Sequence, residues 1–221
     1  MLNDRVKKRV AVLISGRGSN MASLIEAGKS CSYPADITLV ATNRPGAAGL
    51  TRAQDAGIPT AVIDHELFGK QREAFEEAVH ALLQQHQIEI VCLAGFMRLL
   101  TPWFVGRWQG RLLNIHPALL PAFRGLDTHE RALAAGVKIH GATVHFVVSE
   151  VDCGPIIIQA AVPVRGDDTA ETLAARVLAV EHRIYPRALK LVAEGHARMV
   201  NGRCIVEAQA PADAALIVPQ D

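Results

Sequence analysis

Short, mostly apolar runs recur along the first half of the chain, each closed by glycine, proline or a small polar residue. Residues 9–15 (RVAVLIS), 36–43 (DITLVATN), 60–64, 89–94 (EIVCLA) and 111–114 have this form. A strand with two apolar faces belongs in a parallel sheet covered on both sides. Between these runs the apolar spacing changes to three and four. Met21, Leu24 and Ile25 follow the first run, and Phe75, Val79, Leu82 and His86 precede the fourth. That spacing predicts helices with one buried stripe, the second from about Lys70 to Gln87. Further helices are predicted over 46–57 and 126–136, and Thr101-Pro102 opens a short one in the N-cap and N1 pattern. Strands alternating with helices imply an α/β fold: a doubly wound, mostly parallel sheet with right-handed crossovers.

After residue 136 the pattern changes. Residues 137–148 alternate, with Val144, Phe146 and Val148 on one face and Thr143, His145 and Val147 on the other. Residues 156–164 are apolar again, and the acidic loop 149–155 lies between. The pair reads as an antiparallel hairpin added to the parallel sheet. Leu173, Val177, Val180 and Ile184 mark a long helix. Asp168 and Glu171 give it a capping-box-like start, and Pro186 is expected to kink or break it. A last hairpin turns at Asn201-Gly202. Residues 1–207 are expected to form one domain and 208–221, rich in Ala and Pro, a loose tail.

Composition narrows the class. Of 221 residues, 50% are apolar and 20% charged, enough to bury a sizeable core. Lys plus Arg (23) nearly cancel Asp plus Glu (22), leaving no electrostatic footprint for nucleic acid or a membrane surface. The basic cluster 5–9 reads as a solvated tail. Cys31, Cys92, Cys153 and Cys204 are too far apart for a zinc spacing, so no metal is expected. The start lacks the apolar core of a signal peptide, and no run reaches membrane-spanning length. A cytoplasmic protein, monomer or homodimer, is the expectation.

Three stretches can carry chemistry, and all follow strand ends. Gly16-Arg17-Gly18-Ser19-Asn20 joins the first strand to a helix, a layout that aims backbone N–H groups at an anion. Met21 stands where the dinucleotide fingerprint has its third glycine, so a single phosphate suits it better than a pyrophosphate. A plain tight turn capped by Ser19 or Asn20 is the alternative. GFMRLL (95–100) is either an apolar ligand wall or the first turn of a core helix. Arg111–Gly125 contains Asn114, His116 and Pro117, either a rigid turn holding an amide and an imidazole or a proline-rich connector. The open edge of an α/β sheet at its strand C-termini is where such folds bind ligands. His140 and His145 read first as hydrogen-bonded strand residues, and Arg72 as a solvated helix charge.

LISGRGSN, LAGFMRLL, LLNIHPALLP and HGATVHFV followed by EVDCGPII resemble the phosphoribosylglycinamide formyltransferase family, in the right order from about Val10 to Arg198. The resemblance implies a formyltransferase fold and transfer of a formyl group from 10-formyltetrahydrofolate to the amine of glycinamide ribonucleotide. It implies that Asn114, His116 and Asp152 are catalytic. Gly18, Ser19, Asn20 and Glu181 would bind the phosphate and ribose. Arg72, Met97, Arg98, Leu99, Leu100, Asn114, Val148, Ser149, Glu150, Val151 and Asp152 would bind the folate. His145 matches a supporting histidine. Ala118 and Asp127 depart from the family's serine and histidine. A formyltetrahydrofolate deformylase is the nearest rival, though an extra N-terminal domain is expected there. A methionyl-tRNA formyltransferase is expected to have an added C-terminal domain and a basic surface. A dehydrogenase module would want an acid at the second strand's end, where Asn43 and Arg44 stand.

Overall fold

The computed structural model describes residues 6–207 and Val218. The expected tail, 208–221, therefore lies almost wholly outside the described residues. Strands β1 (Lys8–Ile14), β2 (Ala35–Thr42), β3 (Thr60–Val62), β4 (Ile90–Leu93), β5 (Leu112–His116), β6 (Ile139–Phe146) and β7 (Ile156–Pro163) make one sheet. Its order is β3-β2-β1-β4-β5-β6-β7. The first five run parallel, while β6 is antiparallel to β5 and β7 to β6. The predicted parallel sheet with a hairpin addition is thus what forms.

The doubly apolar runs follow from two layers of helix. Val10, Val12 and Ile14 of β1 face α1 (Ser19–Gly28) and the long α6 (Ala170–Ala193). Ala11 and Leu13 face the opposite layer, α3 (Arg72–Gln85) and α4 (Pro102–Arg107), through Phe75, Val79, Leu83, Phe104 and Trp108. Two short helices, α2 (Gly49–Asp55) and α5 (Thr128–Ala134), and the hairpin β8 (Ala197–Val200) and β9 (Arg203–Val206) complete the described chain. Asn201 and Gly202 both take positive φ (48° and 73°), as the hairpin turn requires.

Several local expectations change once tertiary contacts act. In α3 the buried position is Leu83 rather than Leu82, and the acidic Glu76 is buried beside the apolar stripe. Its carboxylate accepts from the Thr101 backbone and hydroxyl, which fastens the start of α4 to α3. Pro186 does not break α6, which runs for 24 residues. Buried side chains on both sides of it, from Leu173 to Leu189, outweigh one missing hydrogen bond. The capping box of α6 is Thr169 with Thr172, while Asp168 pairs with Arg176 at 2.7 Å. The basic N-terminal cluster is partly structured: Lys8 and Arg9 belong to β1, and Lys8 pairs with Glu89 at 2.6 Å.

Between β1 and β4 the chain order reverses, which opens a crevice at their C-terminal ends. Ser15 ties the loops there. Its N–H donates to the Gly95 carbonyl (3.1 Å), its Oγ donates to Asn43 Oδ1 (2.5 Å), and Met97 N–H donates to that Oγ (2.8 Å).

Candidate active site

β5 extends through Asn114 and His116, so these residues are strand positions two apart, on one face, and the turn begins only at Pro117. β6 sets His145 opposite Asn114. The β6–β7 loop then returns Asp152 over both, with φ 53°. Asp152 Oδ2 lies 3.3 Å from His116 Nδ1, and Oδ1 lies 3.8 Å from His145 Nε2. The Gly125 N–H donates to Asp152 Oδ2 at 2.9 Å, so the carboxylate is held from the far side too. Asp152, distant from Asn114 and His116 in sequence, is thus brought to the strand end that carries them.

Each polar atom has a role that its partner dictates. His145 Nδ1 faces the Phe146 carbonyl at 2.9 Å and must donate. Burial pushes the His145 pKa below its usual value, which keeps the ring neutral and leaves Nε2 as an acceptor. Asn114 Nδ2 therefore donates to Nε2 at 3.2 Å. That contact orients the amide and leaves its second N–H toward the cleft. His116 has acceptors at both nitrogens: the Phe123 carbonyl 2.9 Å from Nε2, and Asp152 at Nδ1. A neutral imidazole can donate to only one of them, whereas the protonated ring donates to both.

A cavity of about 1180 Å³ opens over this cluster. Among the expected residues its walls include Asn20, Met97, Arg98, Leu99, Leu100, Asn114, His116, Val148, Ser149, Val151, Asp152 and Glu181. GFMRLL is thus an irregular wall, not a helix start. Gly18 and Ser19 are not among its lining residues, although Arg17 and Asn20 on either side of them are; Gly18 takes left-handed geometry (φ 69°) as the N-cap of α1. No side chain caps that helix, so neither Ser19 nor Asn20 does. Asn20 instead donates to Glu181 Oε2 at 2.6 Å, joining α1 to α6 at one end of the cavity. Burial pushes the Glu181 carboxyl up.

Arg72 and Glu150 are not brought to the wall. Arg72 is exposed at the first turn of α3, and Glu150 pairs with Arg124 at 3.6 Å on the surface. Asp127, where the resemblance expects a histidine, lines the cavity, as do Arg17, Leu126 and His129, which are not among the expected site residues. Arg17 sits inside the glycine turn, and that position is the signal that could have found it. The volume lies just above the roughly 300–1,000 Å³ usual for a small-ligand site. Among the described residues no group of three or more His, Cys, Asp or Glu side chains is placed to hold a metal ion. No described helix is long and apolar enough to cross a membrane.

The formyl transferase family pattern matches residues 8–189. The trifunctional purine biosynthetic protein adenosine-3 of Bos taurus is 53% identical over 198 residues, which are 89% of this chain and 20% of that protein. The chain thus spans about a fifth of that relative's length. The phosphoribosylglycinamide formyltransferase of Haemophilus influenzae is 42% identical over 203 residues, 92% of this chain and 95% of that protein. Among solved structures, glycinamide ribonucleotide transformylase 1 from Symbiobacterium toebii has a TM-score of 0.87 at 44% identity, covering 90% of this chain and 94% of that one.

Proposed function

The chain belongs to the formyl transferase family, and on that premise we propose that it carries the formyl group of 10-formyltetrahydrofolate to the amine of glycinamide ribonucleotide, a step of de novo purine synthesis. The observation that carries the reading is the meeting of Asn114, His116 and Asp152 in a cavity that also contains the Asn20–Glu181 pair. The proposal concerns only the fifth of the bovine protein that this chain matches.

The substrate amine attacks the formyl carbon, and the carbonyl π pair moves to oxygen. The free N–H of Asn114 and a proton on His116 stabilise that oxyanion. His116 Nε2 exchanges the Phe123 carbonyl for the formyl oxygen, while Asp152 balances the charge of the ring at Nδ1. The intermediate collapses by breaking the bond to N10 of the folate, whose electron pair takes up a proton. The ammonium formed by attack gives up one proton, with Asp152 as relay, so no net proton is consumed. Glu181 binds the ribose hydroxyls, and the Gly18–Asn20 turn takes the phosphate. The pterin lies against Met97–Leu100 under the 148–152 loop. The folate carboxylates leave the cavity past Arg98 toward Arg72. In support of that path, Arg98 lies 5.8 Å over the ring of Phe75, one helical turn from Arg72.

We further propose one domain over 1–207 and a cytoplasmic protein, monomer or homodimer; the four free cysteines suit a reducing compartment. The deciding assay supplies both substrates to the purified chain and to His116→Ala. Formylated ribonucleotide should form, and the variant should lose at least about a hundredfold in kcat, the usual order for an oxyanion donor. Formate released without any amine acceptor would instead assign a hydrolase, and an undiminished His116→Ala rate would remove the mechanism.

A further inference from the structure

We propose that Arg17, backed by Arg44, is the cationic clamp for the phosphate of the ribonucleotide and sets the preference for a phosphorylated substrate. This rests on the transferase reading above and assigns a residue to it that the glycine turn alone does not.

Arg17 stands at a partition. It lines the large cavity on one side and, on the other, a second cleft of about 400 Å³ bounded by Ser15, Gly16, Arg44 and the Gly46–Ala48 loop. Two arginines and no acidic residue line the second cleft. Among the described residues neither Arg17 nor Arg44 joins an ion pair. Two like charges in one small cleft repel unless an anion lies between them. The loop carrying Arg44 is fixed there by packing. Gly49 N–H donates to the Gly16 carbonyl at 3.0 Å, and a Cβ on Gly49 would come within 2.5 Å of Ile14 Cδ1.

The adjoining turn is built for a ligand in a second way. Asn20 is 9% exposed, and its Oδ1 has no hydrogen-bond partner although Nδ2 is bonded to Glu181. A buried acceptor left without a donor is destabilising. It lies on the wall of the cavity that Arg17 shares, so a ligand donor such as a ribose hydroxyl would satisfy it there. The same ligand would direct its phosphate to the uncapped start of α1 and the Arg17 fork. Glu181, the acid on that side, is already engaged by Asn20.

Steady-state kinetics with the ribonucleotide varied at saturating folate test this, alongside titration of each protein with ribose 5-phosphate. Arg17→Ala should raise KM for the ribonucleotide and Kd for ribose 5-phosphate about tenfold to a hundredfold, as expected for loss of a charge-assisted pair. Its kcat and its KM for folate should move less than about threefold. Arg17→Lys should recover part of the loss, because it keeps the charge but not the fork. Arg44→Ala should shift the same constants in the same direction by a smaller factor. The proposal fails if the Arg17→Ala ribose 5-phosphate affinity stays within about twofold of the unaltered protein. If the unaltered chain makes no formylated product, the transferase reading fails, and the titration still decides whether Arg17 holds phosphate.

Discussion

His140 is 1% exposed on β6, edge-on to His129 and Phe123 at 5.4 and 5.7 Å, and neither ring nitrogen has a hydrogen-bond partner. The Pro117 carbonyl is near, without the geometry of an ordinary hydrogen bond. Burial first, and the neighbouring His129 second, push the His140 pKa down from 6.5 to about 4. His129 and His145 are also lowered, burial again leading. The unfolded chain therefore takes up these protons before the folded one. The contribution of His140 is whole above pH 6.5 and is lost as pH falls through about 4, and those of His129 and His145 weaken in the same direction, so the midpoint of thermal unfolding should drop as the solution is acidified. His140→Phe should shrink the drop between neutral and acid pH. An equal drop in both proteins would mean that His140 is not the titrating group. Single residues also show where pattern reading stops. Asn114 and His116 are legible as an amide and an imidazole beside a proline, but the tautomer of His145 that orients Asn114 depends on the Phe146 carbonyl and on burial.

At the scale of elements, the β6–β7 hairpin is the part on which the site depends most. Gly154 lies where its mouth closes: an added Cβ would sit 1.6 Å from the Phe146 carbonyl oxygen and 3.1 Å from His145 Nδ1. Gly154→Ala must open the hairpin beside Asp152, so it should cost about 2 kcal/mol or more and lower kcat as well. Gly106 in α4 offers the contrast, since nothing lies within 4 Å of its added Cβ and its φ is ordinary. Gly106→Ala should stabilise by about 0.5–1 kcal/mol, the usual gain inside a helix. Urea unfolding of the two variants, with kcat for each, checks both; a harmless Gly154→Ala would overturn the hairpin's role. Element types follow from period because each helix or strand shows its buried face locally. The departures sit where another element intervenes: Glu76 is turned inward by Thr101, and α6 is carried past Pro186 by its packing on both sides of the proline.

Over the whole molecule the sheet is shared between the two apolar layers, and Met199, Cys204 and Val206 of the final hairpin pack against the first of them. The described chain should therefore unfold in one transition, with the fluorescence of Trp103 and Trp108, both in the second layer, coinciding with far-ultraviolet circular dichroism. Two separated transitions would divide the proposed single domain. By itself the sequence determines the alternation of strand and helix, the parallel order with an antiparallel addition, the hairpin at Asn201-Gly202 and the chemical types available at strand ends. These are local matters of period, turn geometry and residue chemistry. Only the tertiary structure decides that Asp152 stands 3.3 Å from His116, that Asn20 meets Glu181 across 161 positions, and that Arg17 faces two clefts while Arg72 stays outside. Those contacts depend on the strand order β1-β4-β5-β6 and on how far each loop returns over it, and no stretch of chain records the position of another.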